Sequence, residues 1–212
     1  MFSVIFDMDG TLLDTQRICV PAWDWAGEKQ GILGAGRHIK EVCGMNEAGW
    51  NKLLKDNYPS IDTDKFNNDV REYVKANLVI EFKKGAEELI EFLIKNNVKI
   101  ALASGSSRRS VEHHLGELDA MKYFDAILAG SDVKHGKPAP DIFLETAKRL
   151  GAEPKDCFVF EDSPNGIKAA VTAGMKCIGV PDMVEFSDEI KQTLFAEITS
   201  LDKAIDILKK YL

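Results

Sequence analysis

Short apolar runs alternate with longer amphipathic segments along most of the chain. A nearly continuous apolar run of about four to eight residues is typical of a strand buried in a parallel sheet. Segments between the later runs repeat apolar residues at helical spacing. The predicted strands are 2–7, 98–103, 125–129, 157–161 and 176–180, and the predicted helices are 85–96, 107–119, 139–150, 164–173 and 201–212. Such alternation predicts an α/β fold, with a Rossmann-like parallel sheet core and helices on both faces.

The interval between the first two predicted strands is far longer than the dozen or so residues that a parallel crossover needs. It has the spacing of amphipathic helices, with Phe66, Val70 and Tyr73 on one face and Val20 and Trp23 on another. We therefore expect residues 15–80 to form an inserted helical domain. Residues 1–14 and 81–212 are expected to form the core that contains the sheet.

Composition excludes several classes of partner. The 212 residues carry a net charge of -7, which argues against binding to nucleic acid. No apolar run approaches the roughly 20 residues that span a bilayer, and Asp7 follows the first run too early for a signal peptide. The four cysteines are scattered without a C-x-x-C pair, as in proteins of a reducing compartment. We expect a cytoplasmic monomer with no membrane or nucleic-acid partner.

The first strand ends in an acid pair. The run Phe2–Phe6 leads into Asp7-Met8-Asp9-Gly10-Thr11. In extended geometry Asp7 and Asp9 point to the same side, at the sheet edge where open α/β folds bind ligands. Two carboxylates this close are costly unless a cation or a proton is shared between them. The alternative is one capping aspartate and one turn aspartate, without chemistry.

The second strand ends in small hydroxyl residues, Ser104-Gly105-Ser106-Ser107. Small residues let backbone N–H groups approach an anion, and the N-terminus of the following helix favours negative charge. Ser104 adds a hydroxyl donor. The alternative is that Ser106 or Ser107 only caps the helix.

The third and fourth strands end in charged residues. Lys137 lies in a loop stiffened by Pro138 and Pro140, which can hold its charge in one direction, although a single loop lysine is more often solvated. Glu161 and Asp162 follow the fourth strand. Carboxylates at the end of a buried strand suit Mg²⁺, whereas the alternative is an aspartate that caps the helix starting near Pro164.

In this order along the chain, the four strand ends resemble the haloacid dehalogenase superfamily, in its branch of beta-phosphoglucomutase and small-molecule phosphatases. Residues 7–15 match the family's first motif, Ser104 the second, and Lys137-Pro138 the third. Glu161-Asp162-Ser163 with Asn165-Gly166-Ile167 matches the fourth. The resemblance implies that residues 15–80 are a helical cap domain.

The resemblance also implies roles for the matched residues. Asp7 would be the nucleophile that accepts the phosphoryl group, and Asp9 the acid that protonates the leaving group and then activates water. Mg²⁺ would be held by Asp7, the backbone carbonyl of Asp9, Asp162 and, directly or through water, Glu161. The transferring phosphoryl group would be bound by Ser104, Gly105, Ser106 and Lys137, with Ser104 and Lys137 also counted as catalytic.

We therefore expect a Mg²⁺-dependent phosphatase that hydrolyses a small phosphorylated metabolite through an aspartyl phosphate. One alternative is a sugar-phosphate mutase of the beta-phosphoglucomutase type, and a lower one is a phospho-acceptor or binding protein with poor turnover. Two departures disfavour the mutase. Cys19 stands where mutases carry a histidine, and Glu47, within the stretch 43–47, stands where they carry an arginine for the second phosphate.

Two adjacent histidines, His113 and His114, fall on a predicted helix. Neighbouring side chains on a helix point about 100° apart, so the pair is not expected to bind a metal together. We expect both residues to lie on a solvated face.

Overall fold

The computed structural model describes residues 2–42 and 47–212, which divide into two compact units. One unit comprises Met1–Asp14 and Ile80–Leu212, and the other comprises Thr15–Val79. The first unit contains every strand of the sheet described below, and the second is helical.

The sheet of the first unit has six parallel strands in the order β3-β2-β1-β4-β5-β6. This order reverses direction at β1, and such a switch point is where open α/β sheets form their ligand crevice. The strands are β1 (Ser3–Phe6), β2 (Lys99–Ala103), β3 (Ala126–Leu128), β4 (Cys157–Glu161), β5 (Lys176–Gly179) and β6 (Ala196–Glu197).

Alternate residues of the strands enter two separate apolar cores, one on each face of the sheet. Val4 and Phe6 of β1 pack in one core, whereas Ile5 packs in the other. Each face is covered by helices, so strands such as β1 and β4 are buried along their whole length. This burial explains the continuous apolar runs in the sequence, and it confirms the predicted Rossmann-like α/β fold.

Ten α-helices are formed by the described residues, four of them in the second unit. Those four are α1 (Cys19–Glu28), α2 (Ile39–Val42), α3 (Glu47–Asn57) and α4 (Thr63–Asn77). Those of the first unit are α5 (Ala86–Lys95), α6 (Arg108–Glu117), α7 (Asp141–Leu150), α8 (Pro164–Thr172), α9 (Asp188–Lys191) and α10 (Ala204–Leu208). Short 3-10 turns are Ala35–His38, Met121–Tyr123, Gly130–Asp132, Pro154–Asp156, Leu201–Lys203 and Lys209–Tyr211.

Two elements differ from the prediction. Strand β6 is absent from the predicted set, because its two residues carry no apolar run. The predicted helix 201–212 is interrupted: only Ala204–Leu208 is α-helical, with a 3-10 turn on either side. Its apolar stripe is real, since Leu201, Ala204 and Leu208 are all buried in one core.

The second unit is held by contacts between its own helices. Trp23 of α1 packs edge-on against Phe66 of α4, with ring centroids 5.2 Å apart. Lys29 pairs with Asp69 at 2.8 Å. The Oε2 atom of Glu47 accepts a hydrogen bond of 2.8 Å from Arg71, so this carboxylate joins α3 to α4. The rest of the stretch aligned with the mutase arginine, residues 43–46, lies outside the described residues.

Helices that could cross a membrane are lacking within residues 2–42 and 47–212, where each helix is too short or too polar for a bilayer.

Candidate active site

Backbone hydrogen bonds continue the sheet beyond the ends of its central strands and fix the residues that follow. The N–H of Asp7 donates to Phe160 O at 3.0 Å, and the N–H of Ser104 donates to Leu128 O at 3.0 Å. The carbonyl of Glu161 accepts from Val180 N at 2.8 Å. Asp7, Ser104 and Glu161 therefore leave three strands of the sheet at the same carboxyl edge.

The chain turns sharply after Asp9. Gly10 has a φ of 85°, in the left-handed region that side chains disfavour. Its N–H donates to Leu13 O at 2.9 Å, which closes the turn. The turn buries Thr11, whose hydroxyl donates to Asp162 Oδ1 at 3.2 Å. Thr11 thus links the loop after β1 to the loop after β4.

Lys137 joins the ends of three strands. Its ammonium group donates to Asp7 Oδ1 at 2.5 Å, to Glu161 Oε1 at 2.7 Å and to Ala103 O at 3.2 Å. The side chain is 11% exposed, so these charges interact away from bulk water. The alternative of a solvated loop lysine is wrong, and the loop with Pro138 delivers the charge to the sheet edge.

Burial and neighbouring charges change the proton affinities of this pair. Burial raises the pKa of Asp7 well above its usual range; Lys137 opposes this shift, and the carboxylates of Glu161, Asp162 and Asp9 reinforce it. Burial alone would lower the pKa of Lys137, but Asp7 and Glu161 outweigh it and the pKa is raised. Lys137 is therefore a cation at neutral pH, and its charge alone does not bring the pKa of Asp7 back to the usual range.

Three carboxylates form a group that suits a hard cation. Asp7, Glu161 and Asp162 each place a carboxylate oxygen within 4.8 Å of the other two. Oxygen ligands of this kind suit Mg²⁺, and the raised pKa of Asp7 is the electrostatic cost that a cation would remove. The residues present thus fit a divalent metal. Among the described residues, this group does not include the carboxylate of Asp9.

The carboxylate of Glu161 is held on both oxygens. Oε1 accepts from Lys137, while Oε2 accepts from Ser163 N at 2.9 Å and from Ser163 Oγ at 3.0 Å. Ser163 also caps helix α8, because its hydroxyl accepts from Gly166 N at 3.1 Å. The sequence left open whether Asp162 caps this helix. The cap is Ser163, and the carboxylate of Asp162 instead lies near those of Asp7 and Glu161.

The loop after β2 packs its backbone closely. Ser106 N donates to Ser104 Oγ at 3.0 Å, and Gly130 N donates to Ser106 O at 2.9 Å. A Cβ on Gly130 would lie 2.4 Å from Gly105 O, so only glycine permits this approach. The helix cap is Ser107, whose hydroxyl accepts from Ser110 N at 3.2 Å. Ser106 is therefore left for another role.

The hydroxyl of Ser106 contacts Asp9. It donates to Asp9 Oδ2 at 2.6 Å, and Ser104 Oγ lies 3.5 Å from the same oxygen. The expectation that Ser106 binds phosphate has no test in this geometry and stays a prediction. Through Ser106, the loop after β2 contacts Asp9, the carboxylate that is expected to act as the acid.

His114 is not on a solvated face, and that expectation is wrong for this residue. Its side chain is only 15% exposed, and Nδ1 lies 3.8 Å from Asp9 Oδ1. Burial lowers the pKa of His114, an effect that Asp9 partly offsets, so the neutral ring is favoured. His113, by contrast, is 66% exposed.

A helical repeat could have located His114 from the sequence. Position 114 lies three residues after Val111 and one before Leu115, both fully buried on the same helix. Residues at i and i+3 share a helix face, so His114 follows the apolar stripe of α6 inward. Arg108, at the start of α6, is instead bonded to Asp132 and to Ile127 O.

The predicted site residues therefore meet at one edge of the sheet. Asp7, Lys137, Glu161 and Asp162 form one group of charges, and Asp9 with Ser104 and Ser106 forms an adjoining hydrogen-bonded group. Three further residues contact this group although the sequence assigned them no role in it: Thr11, Gly166 and His114.

Comparison with known proteins identifies the family. A haloacid dehalogenase-like hydrolase family model matches residues 3–174. A phosphorylated carbohydrates phosphatase of Thermotoga maritima is 31% identical, with complete coverage of both chains. A fructose-1-phosphate phosphatase of Escherichia coli is 34% identical over 84% of this chain and 95% of its own. A crystal structure from Thermotoga maritima, of a protein provisionally named beta-phosphoglucomutase, is 30% identical, with a TM-score of 0.84 and complete coverage of both chains.

These matches agree with the fold and with the order of charged strand ends along the chain. The family model alone spans most of the sequence, including strands β1 to β4 and the inserted helical unit between β1 and β2. The chain therefore belongs to the haloacid dehalogenase-like hydrolases.

Proposed function

We propose that this hydrolase is a Mg²⁺-dependent phosphatase that cleaves small phosphorylated metabolites through an aspartyl phosphate on Asp7. The observation that carries the proposal is the environment of the Asp7 carboxylate. It lies at the carboxyl end of β1, with the ammonium group of Lys137 at 2.5 Å and the carboxylates of Glu161 and Asp162 beside it. An aspartate so placed can accept a phosphoryl group.

In the first step, a carboxylate oxygen of Asp7 forms a bond to phosphorus as the bond between phosphorus and the leaving oxygen breaks. Asp9, in its protonated form, gives its proton to that leaving oxygen, so that an alcohol departs. Lys137 stabilises the negative charge of the phosphoryl group during transfer. Ser104 Oγ and the N–H of Gly105 are the donors expected to bind the phosphoryl oxygens.

In the second step, water attacks the phosphorus of the aspartyl phosphate. Asp9, now a carboxylate, takes a proton from that water, and Asp7 leaves as a carboxylate with inorganic phosphate released. Asp9 thus returns to its protonated form and Asp7 to its ionised form. The same pair of residues completes both halves of the reaction.

Asp7, Asp162 and the backbone carbonyl of Asp9 would hold Mg²⁺, with Glu161 reached directly or through water. When bound, the ion supplies positive charge that neutralises the phosphoryl oxygens and the crowded carboxylates. Because both oxygens of Glu161 are already hydrogen bonded, the structure favours Glu161 as a residue that orients Lys137.

The substrate class comes from the named relatives. They include a phosphatase of phosphorylated carbohydrates and a fructose-1-phosphate phosphatase, both matched over most of their length. We propose a phosphate monoester of a sugar or of a similarly small polyol. A panel of phosphorylated sugars, nucleotides and cofactors, with phosphate release measured in Mg²⁺ and after chelation, tests both substrate and metal.

The covalent step has its own test. Rapid acid quench during turnover, followed by peptide mass analysis, should find one phosphoryl group on the peptide that contains Asp7. Asp7→Asn should fold with a normal melting curve, release no phosphate and give no phosphopeptide. Substantial turnover by folded Asp7→Asn, or a phosphoryl group on another residue, would contradict the assignment.

A mutase is the second candidate, favoured by the structural relative provisionally named beta-phosphoglucomutase. A mutase must hold the second phosphate of a bisphosphate, and it needs a cation to do so. In this chain Glu47 occupies the aligned position and is paired with Arg71 within the second unit. Incubation with beta-glucose 1-phosphate and a trace of glucose 1,6-bisphosphate decides: we expect free phosphate, whereas rapid formation of glucose 6-phosphate would favour the mutase.

The remaining alternative is a phospho-acceptor with poor turnover. It predicts one equivalent of phosphate bound per chain and no sustained release from an aryl phosphate. Repeated turnover of 4-nitrophenyl phosphate in Mg²⁺ would exclude it.

A further inference from the structure

The carboxylate of Asp9 is approached from two sides by side chains that the proposed mechanism does not use. Ser106 Oγ donates to Oδ2 at 2.6 Å. On the other side, His114 Nδ1 lies 3.8 Å from Oδ1. Ser106 is in the loop after β2, and His114 is two turns further along, on the helix that this loop starts.

Nδ1 of His114 is a buried polar atom that faces Asp9. Within residues 2–42 and 47–212, no group hydrogen bonds to it. A buried nitrogen that makes no hydrogen bond costs free energy, so each one in a native structure calls for an explanation. The acidic oxygen it faces is Asp9 Oδ1, and closing the gap by about 0.6 Å makes a hydrogen bond.

We propose that His114 is a positioning residue for Asp9. Its imidazole and the hydroxyl of Ser106 hold the two carboxylate oxygens, and so set the direction from which Asp9 passes its proton to the leaving oxygen. The inference rests on the proposed function, because it takes Asp9 as the acid. It adds a residue outside the group of carboxylates, Asp7, Glu161 and Asp162, that fits a metal.

The role predicts a specific dependence on the leaving group. As the bond from Asp7 to phosphorus forms, the leaving oxygen gains negative charge and takes the proton of Asp9. A nitrophenolate carries that charge well and needs little help, whereas a phenolate or an alkoxide needs the proton early. A misdirected Asp9 therefore slows esters with basic leaving groups selectively. Loss of packing alone would slow all esters alike.

The test compares kcat/KM for 4-nitrophenyl phosphate and phenyl phosphate, two esters of similar shape. This parameter reports the steps up to phosphoryl transfer and is insensitive to the later hydrolysis. We expect His114→Leu to lower kcat/KM for phenyl phosphate about tenfold more than for 4-nitrophenyl phosphate, a part of the 10²–10⁴-fold that acid catalysis supplies. His114→Asn, whose amide can place an N–H near the position of Nδ1, should restore most of the difference.

His113→Leu is the matched control, since His113 is the adjacent residue on the same helix and is largely exposed. It should leave the ratio of the two substrates unchanged. Melting curves of all variants should confirm that each one folds.

Asp9→Asn tests the acid role of Asp9 separately from the positioning role of His114. If it lowers kcat/KM for both esters equally, Asp9 is not the acid and the proposed mechanism is wrong. If Asp9→Asn is selective for phenyl phosphate but His114→Leu is not, the acid role stands and the role of His114 is overturned. Selective loss in both, with rescue by His114→Asn, is the expected result.

Discussion

The carboxylate of Glu161 lies against the α-carbon of Gly166, on the first turn of helix α8. A Cβ built on Gly166 would come within 1.7 Å of Glu161 Oε1, the oxygen that also accepts a hydrogen bond from Lys137. Glu161 is fully buried and is held on its other oxygen by Ser163. The carboxylate therefore cannot move aside without losing its partners, and only glycine fits at position 166.

We expect Gly166→Ala to fold but to lose most of its activity. Its methyl group would push Glu161 away from Lys137. Lys137 would then lose the contact that orients its ammonium group towards Asp7. Overpacking of this kind costs about 1–3 kcal/mol, more than the gain of up to about 1 kcal/mol from replacing a helical glycine by alanine. Phosphate release and urea unfolding measure the two effects.

Gly116→Ala is the control, since a Cβ on that helical glycine meets nothing within 4 Å. It should keep full activity and gain slightly in stability. Equal activity of Gly166→Ala and the wild type would show that Glu161 need not occupy its present position.

Removal of the Lys137 charge should destabilise the metal-free protein in a pH-dependent manner. In Lys137→Met, two buried carboxylates lose their cation, which costs about 3–5 kcal/mol when they are ionised. Burial already raises the folded-state pKa of Asp7, and without Lys137 the pKa rises further. The folded state then holds a proton that the unfolded state releases, so stability falls as the pH rises above the unfolded pKa of about 4.

The measurement is urea unfolding of Lys137→Met and wild type with a chelator present, from pH 5 to pH 8. The gap between them should widen with pH. Lys122→Met, which removes a largely exposed lysine paired with Asp119, should leave stability close to that of the wild type at every pH. A gap of constant size would show that the pKa of Asp7 does not rise when Lys137 is removed.

Thr11→Val should weaken metal binding and leave the fold intact. The buried hydroxyl of Thr11 donates to Asp162 Oδ1, and valine keeps the shape without the donor. Residues that orient a metal ligand typically contribute about tenfold or more to metal affinity. The Mg²⁺ concentration for half-maximal activity should therefore rise about tenfold.

Thr146→Val serves as the matched control, because Thr146 is also fully buried but donates to Ile142 O within α7. Its Mg²⁺ requirement should equal that of the wild type. If Thr11→Val also matches the wild type, the contact with Asp162 does not orient a metal ligand.

Two cysteines should resist alkylation in the folded protein. Burial, reinforced by Asp156, raises the pKa of Cys157 from 9.0 to about 11, and burial raises that of Cys177 well above its usual range. At pH 8 the reactive thiolate of Cys157 is then about a hundredfold rarer than that of an ordinary cysteine. Iodoacetamide labelling with peptide mapping should modify the partly exposed Cys19 in the folded protein, and modify Cys157 and Cys177 only after unfolding in urea. Early labelling of Cys157 in the native protein would contradict the burial of this strand.

Sequence was sufficient to predict the strands that carry the site. Parallel strands covered on both faces are nearly continuous apolar runs, so β1 and β4 are easy to recognise, and acids directly after them are conspicuous. The two-residue β6 lies at the sheet edge and has no such run. Its position depends on the neighbouring β5, which no local pattern reveals.

The contacts between the strand ends could not be predicted from the sequence. That Ser106 donates to Asp9, that Thr11 donates to Asp162 and that Gly166 makes room for Glu161 all depend on how loops distant in the chain meet. The polarity of His114 and its neighbour His113 suggest a solvated face, whereas its helical position beside Val111 and Leu115 places it inward. Residue type predicts candidate chemistry, whereas partners follow from tertiary packing.

The position of Lys137 across the ends of β1, β2 and β4 has a consequence for the order of assembly during synthesis. Lys137 and Asp7 are 130 residues apart in the chain, and Glu161 comes later still. When β1 leaves the ribosome, its neighbours β2 and β4 have not yet been made. The whole helical unit, Thr15–Val79, is synthesised before either of these two strands. The charges of Asp7, Lys137 and Glu161 can therefore balance one another only after β4 has been added beside β1. Contacts so distant in sequence form slowly, so the recovery of activity should be among the last events in refolding.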